Sequence, residues 1–275
     1  DPERPLNILH LASSQRWTGV AEPAAGLAAR QLAHGHRVTF ACIGGSSFER
    51  RLGALGIPFL PGFELDRALN PASLRLDVRR LRDWVCRQQP AMIHCHLPHD
   101  HWLAALALRR PLSRFSRRIE PAIVRTIHRE NPPRRDLPHR WLAGKGADMV
   151  IAVSQSSRQA MIDEVGLPAG KVAWVRGAVD LERFQPGLDP APIREIYKIP
   201  AEARVAGMVA RMQPHRGHHA LIDTIEQVVA AVPLAWYALA GRGELKRELV
   251  DRILSHPLRH HLRRIGYHKQ DLPLV

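Results

Sequence analysis

Cysteine, aromatic side chains, acidic residues and long apolar runs are all scarce in this chain, and each scarcity excludes something. There are three cysteines, Cys42, Cys86 and Cys95. Scattered and odd in number, they argue against a disulfide framework and for a reducing compartment. No apolar run approaches the roughly 18 residues that a bilayer span needs. The opening stretch, DPERPLNILHL, lacks a signal-peptide layout, so the cytoplasm is the expected location. Acids are outnumbered: 26 Asp and Glu stand against 40 Lys and Arg, a formal net charge of +14. The excess is concentrated, with ten arginines in residues 109–140 against Glu120, Glu130 and Asp136. Such a balance suits nucleic acid, anionic lipid headgroups or phosphorylated substrates. The chain shows no helix-turn-helix, zinc-finger spacing or aromatic stacking sheet. Nucleic acid is therefore not an expected partner. Phosphate-bearing substrates and peripheral contact with an anionic membrane face remain, beside the plain alternative of an arginine-decorated surface.

What the chain does have is regular alternation. Apolar strand-length runs at 6–11, 38–44, 57–60, 92–95, 123–127, 149–153 and 172–175 are separated by helical periodicity at 20–33, 48–56, 74–89, 102–108 and 156–165. That order predicts α/β architecture with parallel sheets. Pro90 is an expected stop for the helix before it, and Ser154 an expected N-cap. Residues 187–192, GLDPAP, read as a linker. A second series follows, with strands at 205–209, 234–240 and 262–265 and helices at 220–232 and 244–254. The predicted domains are 1–187, complete, and 188–275, which holds about half the residues such a domain needs.

The loops carry the candidate chemistry. Val205, Met208 and Val209 read as a buried strand running into Arg211, with Arg216 and Gly217 opening the next helix. Two guanidinium forks beside a helix N-terminus make a plausible diphosphate seat. Gly19 lies at the turn after the first strand, where a backbone approaches a ligand in open α/β sheets. His128 follows a strand and projects from its carboxyl edge. Gly241 and Gly243 form a turn after a buried strand. His94, His96, His99 and His101 invite a metal reading, but no second ligand cluster accompanies them; strand-end structural histidines are the preferred reading, and no metal is expected.

In order, these positions resemble glycosyltransferase family 4, retaining nucleotide-sugar enzymes of the GT-B fold. The resemblance rests on WTGVAE and LAARQLAHGHRV (17–38), MIHCHLPH (92–99), TIHRE (126–130), ADMVIAVSQSSRQAM with VRGAVDLERFQP (147–186), and the arginine loop with LAGRGEL (239–245). It departs from the family in offering Thr18-Gly19 for two glycines, Arg216 for a lysine and Arg242 for an acid. The family's pair of glutamates has no counterpart before Val275.

The resemblance implies a GT-B fold and transfer of a sugar from a nucleoside-diphosphate donor such as a UDP- or GDP-sugar, with no other cofactor. Arg211 and Arg216 would hold the leaving diphosphate and His128 would line the sugar pocket. Gly19, Gly241 and Gly243 would give the donor close approach. A lipid-linked or saccharide acceptor is implied, in cell-envelope polysaccharide or glycolipid synthesis, at the inner membrane face. Without the glutamate pair, donor binding and activity are expected to be weak. The alternative class is a non-catalytic module that uses its basic surface for anionic lipid or a protein partner.

Overall fold

The computed structural model describes residues 4–65, 70–109, 121–128, 136–182 and 184–266. Most of the arginine-rich 109–140 stretch, and the Arg129-Glu130 end of the TIHRE segment, lie outside the described residues. The chain divides into two compact units, Asp1–Ala178 and Val179–Val275.

In the first unit the chain runs β1 (Asn7–Ala12), α1 (Ala21–Ala33), β2 (Arg37–Ile43), α2 (Ser47–Ala54), β3 (Phe59–Phe63), α3 (Pro71–Gln88) and β4 (Met92–Cys95). It continues through α4 (Pro98–Leu108), β5 (Ala122–Ile127), α5 (Leu137–Lys145), β6 (Met149–Ala152), α6 (Gln155–Asp163) and β7 (Val172–Trp174). All seven strands are parallel, in the order β3-β2-β1-β4-β5-β6-β7. The chain winds outward one way from β1, then returns to β4 and winds the other way. The switch point between β1 and β4 is where open α/β sheets leave a crevice at their carboxyl edge.

Each strand face is buried against a different core. Leu9, Leu11, Ile93, Cys95 and Ile123 pack with Leu81, Val85 and Leu103 on one side. Ile8, Val38, Phe40 and Cys42 pack with α1 and α2 on the other. Helix α1 presents a face of alanines, Ala21, Ala24, Ala25 and Ala28, all buried. Small side chains let it lie close to the sheet, which brings Gln31 within reach of a strand side chain. Fully burying a Phe40 or Leu52 stabilises the unit by about 1.5–3 kcal/mol.

The helix boundaries follow local chemistry. Ser154 Oγ accepts from the Ser157 N–H (3.1 Å) at the start of α6, as the sequence predicts. Helix α3 ends in left-handed Gln89 (φ 46°), immediately before Pro90. Helix α5 has no counterpart among the sequence-based helices. Its signal was Asp136-Leu137-Pro138, in which the Asp136 carboxylate accepts from the His139 N–H (3.0 Å) and the proline occupies the first turn.

The second unit holds α7 (Ala191–Tyr197), β8 (Arg204–Val209), α8 (His218–Asp223), α9 (Ile225–Ala231), β9 (Ala235–Ala240), α10 (Lys246–Ser255) and β10 (Leu262–Gly266). Its sheet is parallel, in the order β10-β9-β8. Helix α7 begins within the stretch read as a linker, since its early prolines fit a first turn, where an N–H is dispensable. Two other elements differ from their sequence expectation. The single helix expected over 220–232 is two short ones broken at Thr224, whose hydroxyl donates to the Leu221 carbonyl (2.8 Å). The strand expected to be buried is an exposed edge: Val205 is 37% exposed and Val209 70%. Central β9, by contrast, is buried at every position.

Candidate active site

The carboxyl edge at the β1–β4 switch point gathers an unusual number of histidines. His10 on β1 is directly opposite His94 on β4 and Phe40 on β2. The rings form a row, with His10–Phe40 centroids 5.0 Å apart, His10–His94 5.1 Å and His94–His96 4.4 Å. His128, just past β5, adds to the row at 5.8 Å from His96. His10, His94 and His96 are all buried.

Hydrogen bonds set their tautomers. Gln31 Oε1 accepts from His10 Nε2 (2.8 Å), so His10 carries its proton there and its Nδ1 accepts from His96 Nε2 (2.9 Å). His96 is then left with a bare Nδ1 lone pair, buried and without a hydrogen-bond partner. His94 Nε2 pairs with Thr126 Oγ1 (2.7 Å) while its Nδ1 is also unpartnered, as is His128 Nε2. Burial holds His94 and His96 well below the usual imidazole range and lowers His10 and His128 to about 4. Neighbouring Arg125 pushes His128 the same way. At neutral pH the cluster is a set of uncharged imidazoles, able to hydrogen-bond a hydroxyl without carrying charge.

Beneath it lie a buried carboxylate and a buried guanidinium that the sequence reading missed. Buried Asp100, on α4, accepts from the Ser13 N–H and the Leu97 N–H, both at 2.7 Å. It thereby ties the loop after β1 to the loop after β4. Burial raises its carboxyl to about 6, against these hydrogen bonds and the charge of Arg125, so at neutral pH it is a carboxylate. Arg125 in turn donates to the Cys95 carbonyl (3.4 Å) and is lowered by burial to about 10. The signal was visible: a charged residue inside a strand whose sheet is covered on both faces needs a counter-ion.

His10, His94 and His96 also have ring nitrogens within 4.8 Å of one another, a grouping that the spacing around Cys95 concealed because His10 comes from another strand. The arrangement commits both nitrogens of His10 and one each of His94 and His96 to hydrogen bonds. His99 and His101 are not in the group.

Gly19 lies in the loop after β1. A Cβ there would meet nothing within 4 Å, so packing does not dictate the glycine. In the second unit, the strand-end loop that carries Arg211 is locked to the Gly241–Gly243 turn. Ala210 N–H donates to the Ala240 carbonyl (3.1 Å), Met212 N–H to Arg242 (3.0 Å), and Leu245 N–H to Met212 (3.2 Å). A Cβ on Gly241 would fall 1.9 Å from the Ala210 oxygen, and one on Gly243 2.1 Å from that of Met212. Arg211 and Arg216 are exposed on this braced loop. Helix α8, which follows, has six residues. A helix this short adds little dipole to the loop, whose positive charge is that of the two guanidiniums.

The family model Glycosyltransferase Family 4 matches residues 17–183, and that of glycosyl transferases group 1 matches residues 190–275. The chain belongs to glycosyltransferase family 4. Its fold is that of GT-B glycosyltransferases such as Anabaena HepE, solved in complex with UDP. That structure aligns with a TM-score of 0.74 at 19% identity, over 96% of this chain and 70% of HepE. A D-inositol 3-phosphate glycosyltransferase of Catenulispora acidiphila is 32% identical over 87 residues, which are 32% of this chain and 20% of that protein. The Escherichia coli UDP-Gal:alpha-D-GlcNAc-diphosphoundecaprenol alpha-1,3-galactosyltransferase is 24% identical over 140 residues, 47% of this chain and 36% of that one. The family 4 chain thus matches about a fifth and about a third of these curated relatives' lengths. Among its described residues no helix is long and apolar enough to cross a membrane.

Proposed function

We propose that this family 4 chain carries out retaining transfer of a sugar from a nucleoside-diphosphate donor to an acceptor hydroxyl. The observation that carries the reading is the braced 210–213 loop, which fixes Arg211 against the Gly241–Gly243 turn at the end of a buried strand. In this reading Arg211 and Arg216 hold the diphosphate and stabilise the charge that builds on it as the glycosidic bond breaks. No covalent enzyme nucleophile takes part. The acceptor oxygen attacks from the face the diphosphate leaves, and the departing diphosphate accepts its proton. Neutral His128 lines the sugar pocket, and Gly19 lets the backbone approach the ligand.

HepE was solved with UDP and the E. coli relative is named for a UDP-sugar, which supports UDP as the donor nucleotide. The E. coli relative's lipid-linked substrate supports an acceptor of the lipid-linked or saccharide class, used in cell-envelope synthesis at the cytoplasmic membrane face. The test is a thermal-shift titration of the purified chain with UDP and GDP. A saturable rise in melting temperature with one of them, abolished in Arg211→Ala, is expected. No shift with either nucleotide, or an unchanged shift in Arg211→Ala, would defeat the reading.

A further inference from the structure

His10 on β1, His94 on β4 and His96 just past it each bring one ring nitrogen within 4.8 Å of the other two. None of the three is more than 2% exposed. The sequence reading expects no metal, because no second ligand cluster accompanies the histidines of 94–101. Parallel pairing of β1 with β4 supplies the missing ligand, since it sets His10 opposite His94. Burial keeps the three rings neutral, and neutral imidazole is the form that ligates a metal ion. No carboxylate or thiolate belongs to the group. An all-imidazole set suits a borderline divalent cation such as Zn²⁺, whereas Mg²⁺ and Ca²⁺ take oxygen ligands.

We propose that His10, His94 and His96 form a zinc site that clamps β1 to β4 at the switch point, with a fourth position open to water. Gln31 Oε1 takes the His10 Nε2 proton (2.8 Å), which leaves the His10 Nδ1 lone pair facing His96 Nε2 at 2.9 Å. Two imidazole nitrogens on one tetrahedral zinc stand about 3.3 Å apart, so a small separation turns this hydrogen-bonded pair into two ligands of one ion. The His96 proton then moves from Nε2 to Nδ1, the nitrogen that is buried without a hydrogen-bond partner, and no proton leaves the protein. His94 has an equally unpartnered Nδ1, and its Nε2 is paired with Thr126 Oγ1 (2.7 Å). Gln31 and Thr126 thus hold two of the ligand rings from behind, as partners of metal-bound histidines do. The Arg125 charge acts on His94 and His96 against a cation, and the Asp100 carboxylate offsets it. The row of rings continues to half-buried His128, 5.8 Å from His96, which gives an ion a way in. The site uses neither of the donor-binding arginines, so it stands or falls apart from the glycosyl-transfer reading.

The experiment titrates the whole chain, stripped of metal with a chelator, with Co²⁺ and follows visible absorption. Tetrahedral Co²⁺ absorbs strongly, whereas Co²⁺ on exposed histidines stays water-rich, octahedral and nearly colourless. The strong absorption is expected to saturate at one ion per chain, to be displaced by an equivalent of Zn²⁺, and to be accompanied by a rise in melting temperature with Zn²⁺. His96→Ala removes a ligand and is expected to abolish the absorption. Gln31→Ala keeps all three ligands but frees the His10 ring, and is expected to weaken binding about 10–100-fold. Gln31 is only half-buried, so this variant decides the matter if His96→Ala does not fold. His34→Ala, which removes an exposed histidine of the same unit, should leave the titration unchanged. The proposal is overturned if the unaltered chain gives no strong saturable absorption. It is equally overturned if the His96 and Gln31 variants titrate as His34→Ala does, which would place the ion elsewhere.

Discussion

Asp100 ties together two loops at the first unit's carboxyl edge. Its two oxygens hold the Ser13 and Leu97 N–H groups, and its charge compensates buried Arg125. Removing this carboxylate leaves two N–H groups without their acceptor and a buried guanidinium without its nearby charge, a cost of about 3–5 kcal/mol. Asp100→Ala is therefore expected to lower unfolding free energy by about that amount, with the midpoint in urea as the readout. A loss under about 1 kcal/mol would mean that Arg125 is solvated or compensated elsewhere. At this scale sequence reading was partial. His128 stood out because it follows a strand, while His10, Asp100 and Arg125 did not, because each sits beside apolar neighbours that dominate a pattern reading.

Between elements, the second unit's loop pair depends on two missing methyl groups. Gly243→Ala would push a Cβ against the Met212 oxygen, 2.1 Å away if nothing moved. The loop must shift, and the Leu245-to-Met212 hydrogen bond (3.2 Å) goes with it. Overpacking of this kind costs about 1–3 kcal/mol. Faster amide exchange at Met212 and Leu245 is expected, together with weaker UDP binding. Unchanged exchange at both amides would refute the bracing role. The elements themselves were largely legible, because strand runs and helix periodicity reflect burial that the fold delivers. Strand β8 shows the limit: Arg204–Val209 is apolar in composition, yet strand exposure is set by what packs against it, and among the described residues β8 pairs only with β9.

Over the whole molecule, the buried histidines make stability a function of pH. His10, His94, His96, His101 and His128 all have lowered values in the folded chain, with burial the leading cause; His101 falls to about 3. Unfolded, each returns to about 6.5. Below that value the unfolded chain takes up protons that the folded chain refuses, so stability falls as pH drops from about 7 toward 4. His10 alone accounts for up to about 3 kcal/mol across its window. Asp100, raised to about 6, works in the opposite direction and offsets part of one histidine. Urea melts of the first unit's signal are expected to show a midpoint that declines steadily between about pH 7 and about pH 5. A flat profile there would mean that the imidazoles are solvated in the native state.

The sequence by itself determined the α/β alternation, the family, the arginine loop and the paired glycines. All of these are properties of short segments, in which residue type and spacing report local geometry directly. Only the tertiary structure decided which residues meet. It set His10 beside His94 and His96, and it brought the buried Asp100 carboxylate within electrostatic range of buried Arg125. Those contacts join positions far apart along the chain, and parallel strands joined through crossover helices fix them by register and winding direction, which no local pattern encodes.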